Sequence, residues 1–185
     1  MQKLLKYAAV ALFVSTLAAC DGKEDSAPAA DSAGASSQAA QSVSLLDGKF
    51  TFALPPGMSD QSGKLGTQSN NMHVYADGTG QRAIIVIAGD ATSESLDTLT
   101  GRLEQQQRNR DANLQVVSNK AIEIGGQPMQ QLDTVMSANG QSAWSTVVLG
   151  KVDGKLVTLQ ITLPADNQQQ AQTDAESVVS SIRVK

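Results

Sequence analysis

The segment KVDGKLVTLQITLP, residues 151–164, decides the fold. Its Asp153-Gly154 pair suits the positive φ angles of a two-residue hairpin turn, because glycine carries no Cβ and aspartate tolerates the left-handed region. Alternating Val and Leu residues flank the turn, the period of strands that bury one face. Two antiparallel strands therefore meet at this turn, and the rest of the chain is read outward from them.

Upstream, residues 143–149, 129–136, 121–124 and 114–117 carry the same strand character, with Gly125-Gly126 as a further turn. Residues 93–110 change period. Leu96, Leu99 and Leu103 recur three and four apart, which predicts an amphipathic surface helix. Residues 82–88 (RAIIVIA) are a continuous Ile/Val run expected in the middle of a sheet, and residues 72–76 (MHVYA) precede them across an Asp77-Gly78 turn. In GKFTFALPPGM, residues 48–58, Phe50, Phe52 and Leu54 share one face of a strand that Pro55-Pro56-Gly57 ends. Asp166 is the expected N-cap of a closing helix carrying Ala171, Ala175, Val178, Val179 and Ile182. Strands, a helix, hairpin-linked strands and a final helix describe one α+β domain over residues 45–185: an antiparallel β-sheet with helices packed on it.

The chain before this domain has a different composition. Residues 21–44 (DGKEDSAPAADSAGASSQAAQSVS) hold too few large apolar side chains to offset the entropy of ordering. Residues 20–44 are therefore expected to be a flexible tether, with a coil reach of about 25–30 Å.

The first 19 residues read as a secretory signal peptide. Lys3 and Lys6 give a positive start, and residues 7–16 (YAAVALFVST) form an uncharged, mostly apolar run. That run is too short for a membrane-spanning helix, which needs about 20 apolar residues. Leu17, Ala18 and Ala19 then lead into Cys20, the single cysteine of the chain. Leu17-Ala18-Ala19-Cys20 resembles a bacterial lipobox, in which the cysteine takes a diacylglyceryl thioether and becomes the N-acylated first residue after cleavage. One acyl chain holds a protein on a bilayer only marginally, whereas two anchor it stably. Cys20 is thus expected to be an anchor rather than a nucleophile. Asp21 resembles the signal that withholds a lipoprotein from export to the outer membrane, which implies residence on the periplasmic side of the inner membrane.

Removing residues 1–19 takes away two lysines and leaves 12 basic against 18 acidic residues, a mature charge of −6. Outside the signal peptide the aromatics are Phe50, Phe52, Tyr75 and Trp144. An acidic surface with few aromatics argues against nucleic acid, which needs a basic stripe and stacking platforms. It gives no electrostatic attraction to anionic lipid either, so the anchor has to supply the membrane affinity.

Catalytic and metal signatures are absent from the sequence. His73 is the single histidine and lies in a strand-like run, where a structural role is expected. With Cys20 acylated, no thiolate is available for a Cys/His zinc site, so neither a metal nor a cofactor is expected beyond the covalent diacylglyceryl and N-acyl groups. GMSDQSGKL, from Gly57, misses a phosphate loop by one residue of spacing and by Leu65 where Ser or Thr must hold magnesium. No Gly-x-Ser-x-Gly elbow, Ser-x-x-Lys pair or calcium loop occurs. Paired carboxylates meet in space rather than in sequence, so that arrangement stays open. Trp144 is expected to anchor the core, and the glutamines at 105–107 and 168–170 to be solvated helix faces. The long connection 57–71, with its Asn70-Asn71 pair, is a candidate contact surface.

LLDGKFTFALPPGMSDQSGKLGTQSNNMHVYAD, RLEQQQRNRDANLQVVSNKAIEI and LVTLQITLPADNQQQAQTDAE resemble the DcrB family of enterobacterial envelope lipoproteins. The similarity runs over nearly the whole chain and is weakest in the tether. It implies a PsbP-like fold and a non-catalytic inner-membrane lipoprotein with envelope protein partners. Such a protein supports envelope integrity and lipoprotein maturation and is used by some bacteriophages for adsorption. Only the lipobox and Asp21 carry over residue by residue. The alternative is a small-molecule or lipid-binding module with a cleft between sheet and helix, for which an apolar cavity of several hundred cubic ångströms is the signature. Homo-oligomerisation stays open.

Overall fold

The computed structural model describes residues 41–64, 71–138 and 140–185. The signal peptide, the lipobox, Asp21 and most of the expected tether lie outside these residues. In chain order the elements are β1 (Gln41–Leu45), β2 (Phe50–Leu54), β3 (Met58–Asp60), β4 (Met72–Asp77), β5 (Ala83–Asp90) and α1 (Leu96–Arg110). β6 (Gln115–Ile124), β7 (Gln127–Ala138), β8 (Gln141–Val152), β9 (Lys155–Pro164), α2 (Gln168–Ser181) and β10 (Arg183–Val184) follow. Among the described residues they form a seven-stranded antiparallel sheet, in order β3-β4-β5-β9-β8-β7-β6, and a three-stranded sheet, β1-β2-β10.

The 151–164 hairpin sits at the heart of the large sheet. β8 and β9 pair from Ala143↔Pro164 to Val152↔Lys155, and Asp153 and Gly154 take φ of 49° and 70°, as a two-residue primed turn requires. The Ile/Val-rich β5 pairs with the other side of β9, in the sheet interior as expected. On one face, alternate residues Val157, Leu159, Ile161 and Leu163 of β9 join Trp144 and Val148 of β8 and Ile84 and Val86 of β5. Phe50, Phe52 and Leu54 of β2 and Ala171, Ala175 and Val178 of α2 close over them. Burying each of the larger side chains contributes about 1.5–3 kcal/mol. α1 packs on β7 and β8, and Leu132, Val147 and Leu149 form a second buried set.

Several boundaries differ from the sequence expectation. Residues 41–44, assigned to the tether, belong to β1, which pairs with β2 from Gln41↔Leu54 to Leu45↔Phe50. One inward residue, Val43, is buried in the core, and the backbone ladder supplies the rest. Residues 114–117 and 121–124 are not two strands; nearly all of this stretch belongs to β6, whose register shifts at a bulge between Val116 and Ser118. The N-cap of α2 is Asn167 rather than Asp166: its side chain accepts from the Gln170 backbone N–H at 3.1 Å, three residues on. Gln107 is 6% exposed instead of solvated, because it lies four residues beyond Leu103 on the buried stripe of α1; its Oε1 accepts from the Thr134 hydroxyl at 3.2 Å. Part of the 57–71 connection is strand β3, paired with β4.

Candidate functional site

The side chains singled out in the sequence do not converge. His73 lies half-buried on β4, opposite Val86, beside a 220 Å³ pocket that Leu46, Phe50 and Val157 also line. Among the described residues no group of three His, Cys, Asp or Glu side chains is placed to hold a metal ion. Trp144 is buried, as expected, but it is also the outer member of a polar cluster.

That cluster is centred on Asp133, a carboxylate only 4% exposed. The Trp144 indole N–H donates to Thr146 Oγ1 at 2.8 Å, and that hydroxyl donates to Asp133 Oδ1 at 2.6 Å. The Ser118 hydroxyl donates to Oδ2 at 2.6 Å, and Gln131 Nε2 reaches both oxygens at 3.2 and 3.0 Å. Neutral donors thus occupy the lone pairs of the carboxylate and tie β6, β7 and β8 together. Such a group is a structural fastener, with no lone pair aimed at a substrate. The sequence signal for it was an aspartate in the middle of a strand segment, between Leu132 and Val135.

At the opposite end of the large sheet, Tyr75 packs edge-on against Phe52, ring centroids 5.7 Å apart. Burial, with the Asp60 carboxylate adding to it, pushes the Tyr75 phenol up to about 12. Hydrogen bonds from Ser62 hold the Asp60 carboxyl below its usual range. An unfolded tyrosine ionises near pH 10. The folded chain therefore keeps a proton that the unfolded chain loses between about pH 10 and 12, and stability declines across that window while it is intact below it. The loss attributable to Tyr75 is about 2 kcal/mol. Urea midpoints should fall less steeply over this range in Tyr75→Phe than in the parent.

Two concavities flank α2. An apolar cleft of about 190 Å³ lies among Leu54, Pro56, Met58, Ile84, Leu163 and Val178, with Arg82 and Asp174 as charged lining. It holds about six water volumes, below the roughly 300–1,000 Å³ of sites for drug-sized ligands. On the other side a groove of about 480 Å³ runs between α2 and β6, lined by Ile122, Ile124, Val179 and Ile182, with Gln131 beneath. Val179 is half-buried here, whereas Val178 faces the core.

The family model for DcrB matches residues 50–181. A relative from Shigella flexneri, the inner membrane lipoprotein DcrB, is 55% identical over 185 residues, all of both chains. Among solved structures, the solution structure of cyanobacterial PsbP from Synechocystis sp. PCC 6803 superposes with a TM-score of 0.60 at 18% identity, covering 83% of this chain and 98% of that one. The α+β fold is therefore PsbP-like. The chain belongs to the DcrB family.

Proposed function

We propose that this protein is an inner-membrane lipoprotein, held on the periplasmic side by acyl chains on Cys20, whose domain acts by binding other envelope proteins rather than by catalysis. The observation that carries this reading is the Leu17-Ala18-Ala19-Cys20 motif, followed by Asp21, in a chain 55% identical end to end to an inner membrane lipoprotein. In this reading the domain supports envelope integrity and lipoprotein maturation, and some bacteriophages use it for adsorption. The saturated hydrogen bonding of Asp133 favours an interaction module over an enzyme. The small volume of the apolar cleft, with the mixed lining of the 480 Å³ groove by Glu123, Glu176 and Arg183 as well as isoleucines, favours it over a small-molecule binder.

Cells lacking the protein are expected to accumulate uncleaved prolipoproteins, seen as slower-migrating bands on immunoblots, and to leave dependent phage unadsorbed. A copy of the wild-type chain restores both. Normal processing and normal adsorption in the deletion strain would contradict the reading.

A further inference from the structure

The groove beside α2 borders a free sheet edge. β6 ends the seven-stranded sheet and is ten residues long, whereas the opposite edge, β3, has three. The hairpin between β6 and β7 closes on Ile124↔Gln127 across Gly125-Gly126, both at positive φ. In such a two-residue turn the closing pair is hydrogen-bonded, so Ile124, Ile122 and Lys120 point their amides inward to β7. Asn119, Ala121 and Glu123 then direct theirs outward, with no strand beside them among the described residues.

The side chains of Ile122 and Ile124, next to those outward amides, stand out of the plane of the sheet and line the groove. Ile122 and Ile124 face Val179 and Ile182 across it. An extended segment laid along β6 would hydrogen-bond to residues 119, 121 and 123 and place alternate side chains between the strand and the helix. The two ends of the groove differ in charge. At one end Lys120 pairs with Glu176 at 3.7 Å. At the other end, Gly125 approaches Val184 so closely that a Cβ there would lie 2.6 Å from the Val184 carbonyl oxygen. Arg183 lines this end and donates to the Ser180 and Ile182 carbonyls, with no carboxylate paired to it among the described residues.

We propose that this groove binds an extended segment of a partner protein by adding a strand to β6, with apolar side chains at alternate positions and an acidic residue at the Arg183 end. The inference deepens the interaction-module reading and rests on it. The bulge between Val116 and Ser118, with Val117 48% exposed, disfavours edge-to-edge pairing of two rigid copies. It leaves residues 119–124 as a straight segment suited to a short flexible peptide.

The test uses the full-length protein in detergent micelles and the peptide acetyl-Asp-Thr-Val-Thr-Val-Thr-amide, whose Asp shares a face with both valines and meets Arg183 in an antiparallel arrangement. At saturation, hydrogen exchange at Asn119, Ala121 and Glu123 should slow at least tenfold. Ala121→Pro removes one outward N–H without touching the ladder to β7, and edge strands tolerate such a proline. It should weaken binding at least tenfold while the melting temperature holds. If Ala121→Pro unfolds the domain, Arg183→Gln decides instead: it should abolish the preference for this peptide over its Asn counterpart. Unslowed exchange, equal binding to the variant, or a dimer of the protein alone that protects the same amides would each overturn the proposal. None of these results bears on membrane residence or phage adsorption, so the broader reading stands or falls separately.

Discussion

Replacing Val178 with Asp is expected to unfold most of the domain at temperatures where the parent is native. Val178 is 3% exposed, on the face of α2 that closes over β2, β8 and β9. A carboxylate placed there loses bulk water against Leu54, Ile84 and Leu163 at the wall of the small apolar cleft, where Arg82 attracts it but Asp174 repels it, and such a burial typically costs several kcal/mol. The whole stability of such a domain is about 5–15 kcal/mol. The melting temperature should drop by about 10 °C or more. Val179→Asp should cost clearly less, because Val179 opens onto the groove beside β6. Equal melting temperatures for Val178→Asp and the parent would refute the packing of α2 against the sheet.

The sequence foretold the placement of this helix because its apolar residues recur at helical spacing, and the central hairpin because Asp153-Gly154 admits few alternatives. What it missed has physical causes. β1 looked like tether because a strand paired along one side of β2 needs only Val43 to point inward, and composition cannot see a backbone ladder. Gln107 looked solvated because a glutamine is polar, although its position on the stripe put it against Thr134. Asp133 was passed over because its three donor side chains come from positions 118, 131 and 146, which only the register of β6, β7 and β8 brings together. The groove depends in the same way on where α2 crosses the sheet edge.

The second large effect concerns the anchor. Cys20→Ser removes the sulfur that carries the diacylglyceryl group, so the precursor should be neither lipidated nor cut by the lipoprotein peptidase. Incorporation of labelled palmitate should fall to background. The domain should still fold, since Cys20 lies outside it and is the only cysteine. Labelling that survives the change would refute the anchor. Asp21→Ser keeps the acyl chains and should shift the protein to the outer-membrane fraction; unchanged residence would refute the sorting role of Asp21 alone.

The most direct measurement is the intact mass of the N-terminal peptide of the mature protein, purified from separated inner membranes. A chain that begins at Cys20 and carries a diacylglyceryl group on sulfur plus an amide-linked acyl chain is the predicted result. An unmodified N-terminus, at Cys20 or elsewhere, would contradict the account.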